Sequence, residues 1–118
     1  MSNTANTQHV VNSGGGSIYL ALVAGNDGAA VTQATFGSIS RAITNTKTSV
    51  VQTDAVVVAD TVFDSEQTDA NLWSETWNFK DQIEASKITS RIRYLLQYTF
   101  TPAAGEVFKS TEIDLIGD

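Results

Sequence analysis

The chain has no cysteine, a single proline, a single histidine, and only seven lysines and arginines set against thirteen acidic residues. Each shortage closes a class of function. Without cysteine there are no disulfides, no thiolate metal ligands and no thiol nucleophile. The lone His9 sits in a polar N-terminal stretch rather than among strands that could orient it. A Ser-His-Asp device needs its base held by a third group, so His9 reads as a solvated or partner-contacting residue. Seven dispersed cations and a net charge of −6 give no cationic stripe to release counterions from phosphates. Nucleic-acid binding is therefore not expected. The longest apolar run, Ile18 to Ala24, falls far short of the ~20 residues a membrane-spanning helix needs. No basic segment precedes it, so it reads poorly as a secretory leader. Gly-x-Ser-x-Gly, the phosphate-loop lysine and His-Glu-x-x-His are all missing, and neither a cofactor nor a catalytic residue is expected.

What is present is Thr, Val, Ala, Ser and Asn, a composition of sheets and turns rather than helices. A length of 118 residues suits one domain with a real core. The clearest pattern runs from Ile88 to Thr101. Alternate residues put Ile88, Ile92, Tyr94, Leu96, Tyr98 and Phe100 on one face, interrupted by Ser90. Thr89, Arg91, Arg93, Gln97, Thr99 and Thr101 fall on the other, interrupted by Leu95. Successive side chains of a strand point to opposite sides, so this is a strand with one face against a core. A helix would throw Tyr94 and Tyr98 away from the aliphatic residues.

The other segments arrange around that strand. Residues 1–16 read as an extended polar arm ending in a Gly14-Gly15-Gly16 hinge, and residues 17–118 as the domain. Ser17 to Ala24 reads as a strand, Gly25-Asn26-Asp27-Gly28 as a turn, and Ala29 to Phe36 as a returning strand. Ile39 to Thr44 opens a Ser/Thr-rich run expected at an exposed edge. Val50 to Phe63 is β-branched and broken by Asp54 and Asp60, and Asp64 to Asn71 reads as an acidic loop. Leu72 to Lys80 alternates again, placing Trp73, Glu75, Trp77 and Phe79 on one face. Asp81 to Lys87 reads as a polar connection, Pro102 to Gly105 as a turn, and Val107 to Ile116 as a final strand with Val107, Thr111, Ile113 and Leu115 on one face. Seven or eight short strands with turns between them predict an all-β fold, an antiparallel sandwich or barrel with an N-terminal arm.

Few residues invite a functional reading. In the arm, His9, Val10 and Val11 are the only moderately apolar anchors, and they are expected to contact a partner. Deleting residues 1–16 is expected to leave the β domain folded and to weaken assembly. Asp60, Asp64, Glu66 and Asp69 form the densest acidic stretch, with no Lys or Arg between Lys47 and Lys80. The spacing and glycine of a helix-loop-helix calcium site are missing, so these residues read as a partner-facing surface rather than a metal site. Glu75 beside Trp73 and Trp77 suggests a carbohydrate platform, against the plainer reading of a pair with Arg91 or Arg93 on the next strand.

The polar stretch Met1–Gly16, the Thr/Val/Asn-rich middle Thr44–Val62 and the hairpin formed by Tyr94–Thr101, Pro102–Gly105 and Val107–Ile116 together resemble the small structural proteins of tailed-phage virions. The resemblance is architectural and covers the whole chain without a diagnostic motif. It implies a non-enzymatic protein assembled in the host cytoplasm into the virion. Such a protein decorates or cements a capsid, or builds a head–tail or tail part. Its partners would be copies of itself and a larger lattice, with no nucleic acid and no membrane. The single-stranded RNA phage coats fit less well, because the charge has the wrong sign for packaging RNA and no helical segment follows Ile116.

Overall fold

The computed structural model describes residues 4–13, 16–24 and 31–117. They form two antiparallel sheets packed face to face, an all-β sandwich with nine strands. In chain order the strands are β1 (Thr4–Ser13), β2 (Gly16–Ala24), β3 (Phe36–Asn45), β4 (Val51–Val56), β5 (Val62–Asp69), β6 (Trp73–Ile83), β7 (Arg93–Pro102), β8 (Phe108–Lys109) and β9 (Ile113–Ile116). One sheet has the order β1-β2-β6-β5. The other runs β4-β3-β7, and β8 and β9 share the far edge of β7.

The long alternating segment is the middle of the second sheet, as its periodicity predicts. Tyr94, Leu96, Tyr98 and Phe100 are all buried in the core, between β3 on one side and β8 and β9 on the other. An aromatic column joins the sheets. The Tyr98 ring lies 4.5 Å from Tyr19 of β2 and 5.1 Å from Phe79 of β6, and Phe79 in turn meets Phe100 edge-on at 5.4 Å. Edge-to-face and tilted pairs of this kind add to the burial energy of each ring. The strand starts later than the pattern implies. Arg91 takes a positive φ of 66°, its N–H is held by the Gly117 carbonyl at 2.8 Å, and the Thr89 N–H donates to the Tyr94 hydroxyl at 2.7 Å. The chain kinks where Ser90 interrupts the apolar face. Gly117 packs so closely there that a Cβ would overlap the Thr89 carbonyl.

Several expectations need correction. The N-terminal segment is an edge strand of the sandwich: Thr4 through Ser13 pairs with β2 from Ala24 to Gly16, with one register shift between Ala5 and Thr7. Its outward His9 and Val11 face Leu20 and Ile18, so alternation along β2 leaves apolar residues on both of its faces and β1 helps cover the outer ones. Gly14 and Gly15, the Gly25–Gly28 turn and the first two residues of Ala29–Phe36 lie outside the described residues. The remainder of that last segment contains a 3-10 turn, Gln33–Thr35, ahead of β3. β3 is not an edge. It lies between β4 and β7, and the hairpin to β4 is closed by Asn45, whose Oδ1 accepts the N–H groups of Lys47 and Thr48 at 2.9 and 3.2 Å. The stretch from Val50 to Phe63 divides into β4, one helical turn α1 (Val58–Thr61) and the start of β5, because the chain must cross from one sheet to the other there. Val107 is exposed, and the last strand splits into β8 and β9 with Phe108 and Leu115 turned inward.

On β6, Trp77 and Phe79 face opposite sides of the sheet, although they are two residues apart. The Asn78 amide accepts the Val23 N–H at 2.8 Å and donates to the Val23 carbonyl at 2.9 Å. A side chain thus takes over the ladder where the β2–β6 backbone pairing ends at Ala21 and Phe79. The alternation is reset by one residue, as at a bulge.

Candidate interaction surface

The outward face of the second sheet is laid out in cross-strand rows. Ala55, Ser40 and Thr99 stand side by side on β4, β3 and β7; next come Thr53, Ala42 and Gln97; then Val51, Thr44 and Leu95. These nine positions carry no charge in a chain with thirteen acidic residues. Seven of the nine are Ser, Thr, Ala or Val, so the side chains of the face are mostly small as well as neutral. Single exposed apolar residues need no explanation, whereas a continuous uncharged patch marks a surface that can be desolvated cheaply. At its margin β4 ends in a free edge, where Val50, Val51 and Val57 are each more than half exposed. The charges that border it are Lys109 of β8, opposite Thr99, and the exposed pair Arg93–Asp114 at 2.7 Å, whose Asp114 stands opposite Leu95.

Behind this sheet, between β4 and the last residues of β6, a cleft of about 370 Å³ opens onto a buried ionic cluster. Arg41 of β3 and Asp81 of β6 reach across the core from opposite sheets and meet at 2.8 Å. The Tyr98 hydroxyl donates to the same Asp81 oxygen at 2.5 Å. Arg41 also contacts Asp54 of β4 at 3.3 Å, and Lys87 closes on the other oxygen of Asp54 at 3.3 Å. Burial works to lower the Arg41 pKa, but Asp81, Tyr98 and Asp54 outweigh it and the guanidinium is held charged. Burial and then the charge of Asp81 push the Tyr98 hydroxyl well above its ordinary value, which keeps it a donor. For Asp54 the largest single influence, desolvation, would raise the pKa; the hydrogen bonds and charges of Arg41 and Lys87 together lower it. Two cations and two carboxylates thus neutralise one another. The arrangement ties the two sheets together at a fixed register.

The residues expected to carry function are dispersed. His9 stacks on Trp73 with centroids 5.5 Å apart and planes 15° from parallel. Val11 joins Ile18, Leu20 and Trp77 on the outer face of the first sheet, while Val10 turns inward against the core. The acidic stretch is no loop. Asp60 lies on α1 at the mouth of the cleft, and Asp64, Glu66 and Asp69 lie along β5. Asp64 accepts the Gln33 N–H at 2.8 Å, Glu66 accepts the Thr76 hydroxyl at 2.8 Å, and Asp69 accepts the Asn71 N–H at 3.0 Å. They serve turns and strand pairing, and among the described residues no three His, Cys, Asp or Glu groups converge for a metal. Glu75 is exposed and makes no ion pair among the described residues, where Arg93 pairs instead with Asp114. Trp77 is buried beneath Phe63, whose ring meets it edge-on at 5.2 Å, and Lys80 lies over it at 5.9 Å. With Trp77 covered and Trp73 stacked on His9, the pair offers no coplanar platform for a sugar ring.

Arg41, Asp81 and the neutral face were not singled out from the sequence, although all three leave a trace in it. Ile39-x-Arg41-x-Ile43 and Phe79-x-Asp81-x-Ile83 each set a charge at the centre of an apolar alternation. The neutral face is the other parity of the β3, β4 and β7 segments. Comparison with known protein families, with curated proteins and with solved structures finds no match for this chain.

Proposed function

We propose that this chain is a non-enzymatic structural protein of a virion, a capsid decoration or cement subunit that binds a larger lattice through the outward face of β4, β3 and β7. The observation that carries the reading is the block of nine uncharged, mostly small side chains on that face. A sheet surface of small, uncharged side chains suits sheet-on-protein packing, because a partner's backbone can approach closely and no charge within the block is buried unpaired. The remaining surface carries the acidic excess, which keeps the free subunit soluble and orients docking toward the neutral patch. The ionic cluster at Arg41, Asp54 and Asp81 serves here as a brace between the sheets and has no chemical role.

Incorporation tests the reading. Ala42 lies at the centre of the block, between Thr53 and Gln97. Ala42→Lys places a charge there without touching the core. Particles produced with wild-type protein are expected to carry bound copies, detectable by mass spectrometry after purification. Particles produced with the folded Ala42→Lys variant are expected to carry at least tenfold fewer, as about 1.4 kcal/mol or more of added desolvation cost would give. Absence of the wild-type chain from particles, or undiminished incorporation of the variant, overturns the proposal.

A further inference from the structure

Among the described residues the sandwich has four strand edges, and two of them are guarded against pairing with another chain. β5 has two register shifts, and the far edge of β7 is covered only by the two-residue β8 and the four-residue β9; β1 pairs regularly from Thr7 to Ser13, but its Val10 and Val11 are half-buried against the domain. Irregular or short edges cannot extend a sheet. β4 differs. It pairs with β3 at six consecutive positions, Val51 to Val56, without a shift. It has no proline, lysine or arginine, and its one charge, Asp54, is neutralised by Arg41 and Lys87. Exposed Val50, Val51 and Val57 line its ends.

We infer that the β4 edges of two copies of this chain pair antiparallel about a twofold axis through Thr53, so that the sheet β7-β3-β4 continues into its symmetry mate. The register follows from the faces of the strand. Asp54 points inward to Arg41, so Gln52, Asp54 and Val56 share the inner face and Val51, Thr53 and Ala55 the outer one. Opposed residues of an antiparallel pair lie on the same face, so a twofold must pass through a residue rather than between two. Centring on Asp54 sets two carboxylates against each other. Centring on Gln52 sets Val50 against Asp54, and centring on Ala55 sets Asp54 against Val56. Of these four central positions Thr53 alone gives compatible partners throughout: Thr53 meets Thr53, Val51 meets Ala55, Val50 meets Val56, and Gln52 meets Asp54, where the amide N–H not used on the Lys87 carbonyl can donate to the carboxylate, twice by symmetry. The pairing of Asp54 with Arg41 and Lys87 keeps this edge from adding to the repulsion between two chains of net charge −6.

The added interface is one strand pair, smaller than the ~800 Å² per partner of a stable complex, so the dimer is expected to be concentration-dependent. The inference deepens the assembly reading and rests on it for its biological purpose, yet its test needs no particle. Sedimentation equilibrium of the wild-type chain from about 10 µM to about 1 mM should show monomer passing to dimer. The natural lack of cysteine makes a register test clean. Thr53→Cys should form a disulfide-linked dimer under mild oxidation, since directly opposed residues lie within disulfide reach. Val51→Cys alone should not, whereas Val51→Cys mixed with Ala55→Cys should. A monomer at all concentrations, or cross-linking of Thr53→Cys no faster than of Lys109→Cys on the opposite edge, overturns the inference. A dimer that never enters particles sinks the virion reading alone, and a monomer that does enter them sinks this inference alone.

Discussion

Asp81→Ala removes the acceptor on which two buried groups converge. In the native chain Arg41 reaches Asp81 at 2.8 Å and Tyr98 reaches it at 2.5 Å, with all three side chains buried between the sheets. Without Asp81 the guanidinium keeps only the 3.3 Å contact to Asp54, and the Tyr98 hydroxyl has lost its acceptor. Breaking a buried ion pair from one side costs about 3–5 kcal/mol, because the surviving charge stays desolvated without its partner. That is a large share of the ~5–15 kcal/mol that separates a folded domain from its unfolded chain. Replacing the set by apolar groups of similar size is a different experiment. Arg41→Met, Asp81→Leu and Tyr98→Phe together remove the desolvation penalty along with the attraction, and such exchanges are commonly neutral or stabilising by about 1–4 kcal/mol. Asp54 would keep Lys87 and its access to water. Urea unfolding followed by tryptophan fluorescence gives midpoints and slopes for the native chain, the single variant and the triple variant. The expected order is single variant far below native, triple variant near or above native. A single variant within about 1 kcal/mol of native would refute the reasoning, as would a triple variant no more stable than the single one.

Three further outcomes are expected. Leu96 is fully buried between Ile43 and Ile113, so Leu96→Ala should cost about 2–5 kcal/mol in urea unfolding, and a loss below about 0.5 would contradict its place in the core. Burial raises the Tyr19 and Tyr98 hydroxyls above their ordinary pKa, so the stability they contribute is full below about pH 10 and falls as the pH climbs toward their folded values; Asp54 is lowered, so its contribution is full above about pH 4 and is lost as the pH falls through its folded value. Thermal midpoints measured across pH should show both declines, and Tyr98→Phe should soften the alkaline one. Deleting residues 1–16 strips β1 from β2, removes the Gln8 acceptor of the Tyr19 hydroxyl and uncovers Ile18 and Leu20, so circular dichroism should show a domain destabilised by about 3–6 kcal/mol or unfolded.

The architecture was legible wherever a strand has one wet face and one dry one. β7 declared itself because Tyr94, Leu96, Tyr98 and Phe100 alternate with polar residues. β2 was found as a continuous apolar run, but a run does not say what lies on each side, and its second dry face is what requires β1 as a neighbour. That is why a polar N-terminal segment passed for an arm: its own composition is thin, and its place is fixed by Ile18 and Leu20 on the strand beside it. β6 misled differently. The side chain of Asn78 substitutes for backbone and resets the alternation between Trp77 and Phe79, an event that depends on Val23, distant in sequence.

The candidate surfaces show the same division between local and non-local information. A sequence displays charge where it is dense, so Asp60, Asp64, Glu66 and Asp69 stand out in it, yet the fold spends them on separate turns and strands. A surface defined by lack of charge cannot be found this way. Ser40, Ala42 and Thr44 are unremarkable until β4 and β7 are laid beside them in register; only then do nine neutral side chains become one face. The converse holds for Arg41 and Asp81. Each looks like an ordinary solvated charge within its own segment, yet each occupies a core parity position between isoleucine, phenylalanine or both. In a two-layer β fold such an intruder needs a partner, because a lone buried charge is untenable, and Arg41 takes one from each layer, Asp54 on the neighbouring strand and Asp81 on the opposite sheet. Two intruders of opposite sign in one short chain therefore predict each other. With β3 and β6 in different layers, their pairing sets Arg41 and Asp81 at the same height, a constraint on the register between sheets that no strand-by-strand reading supplies.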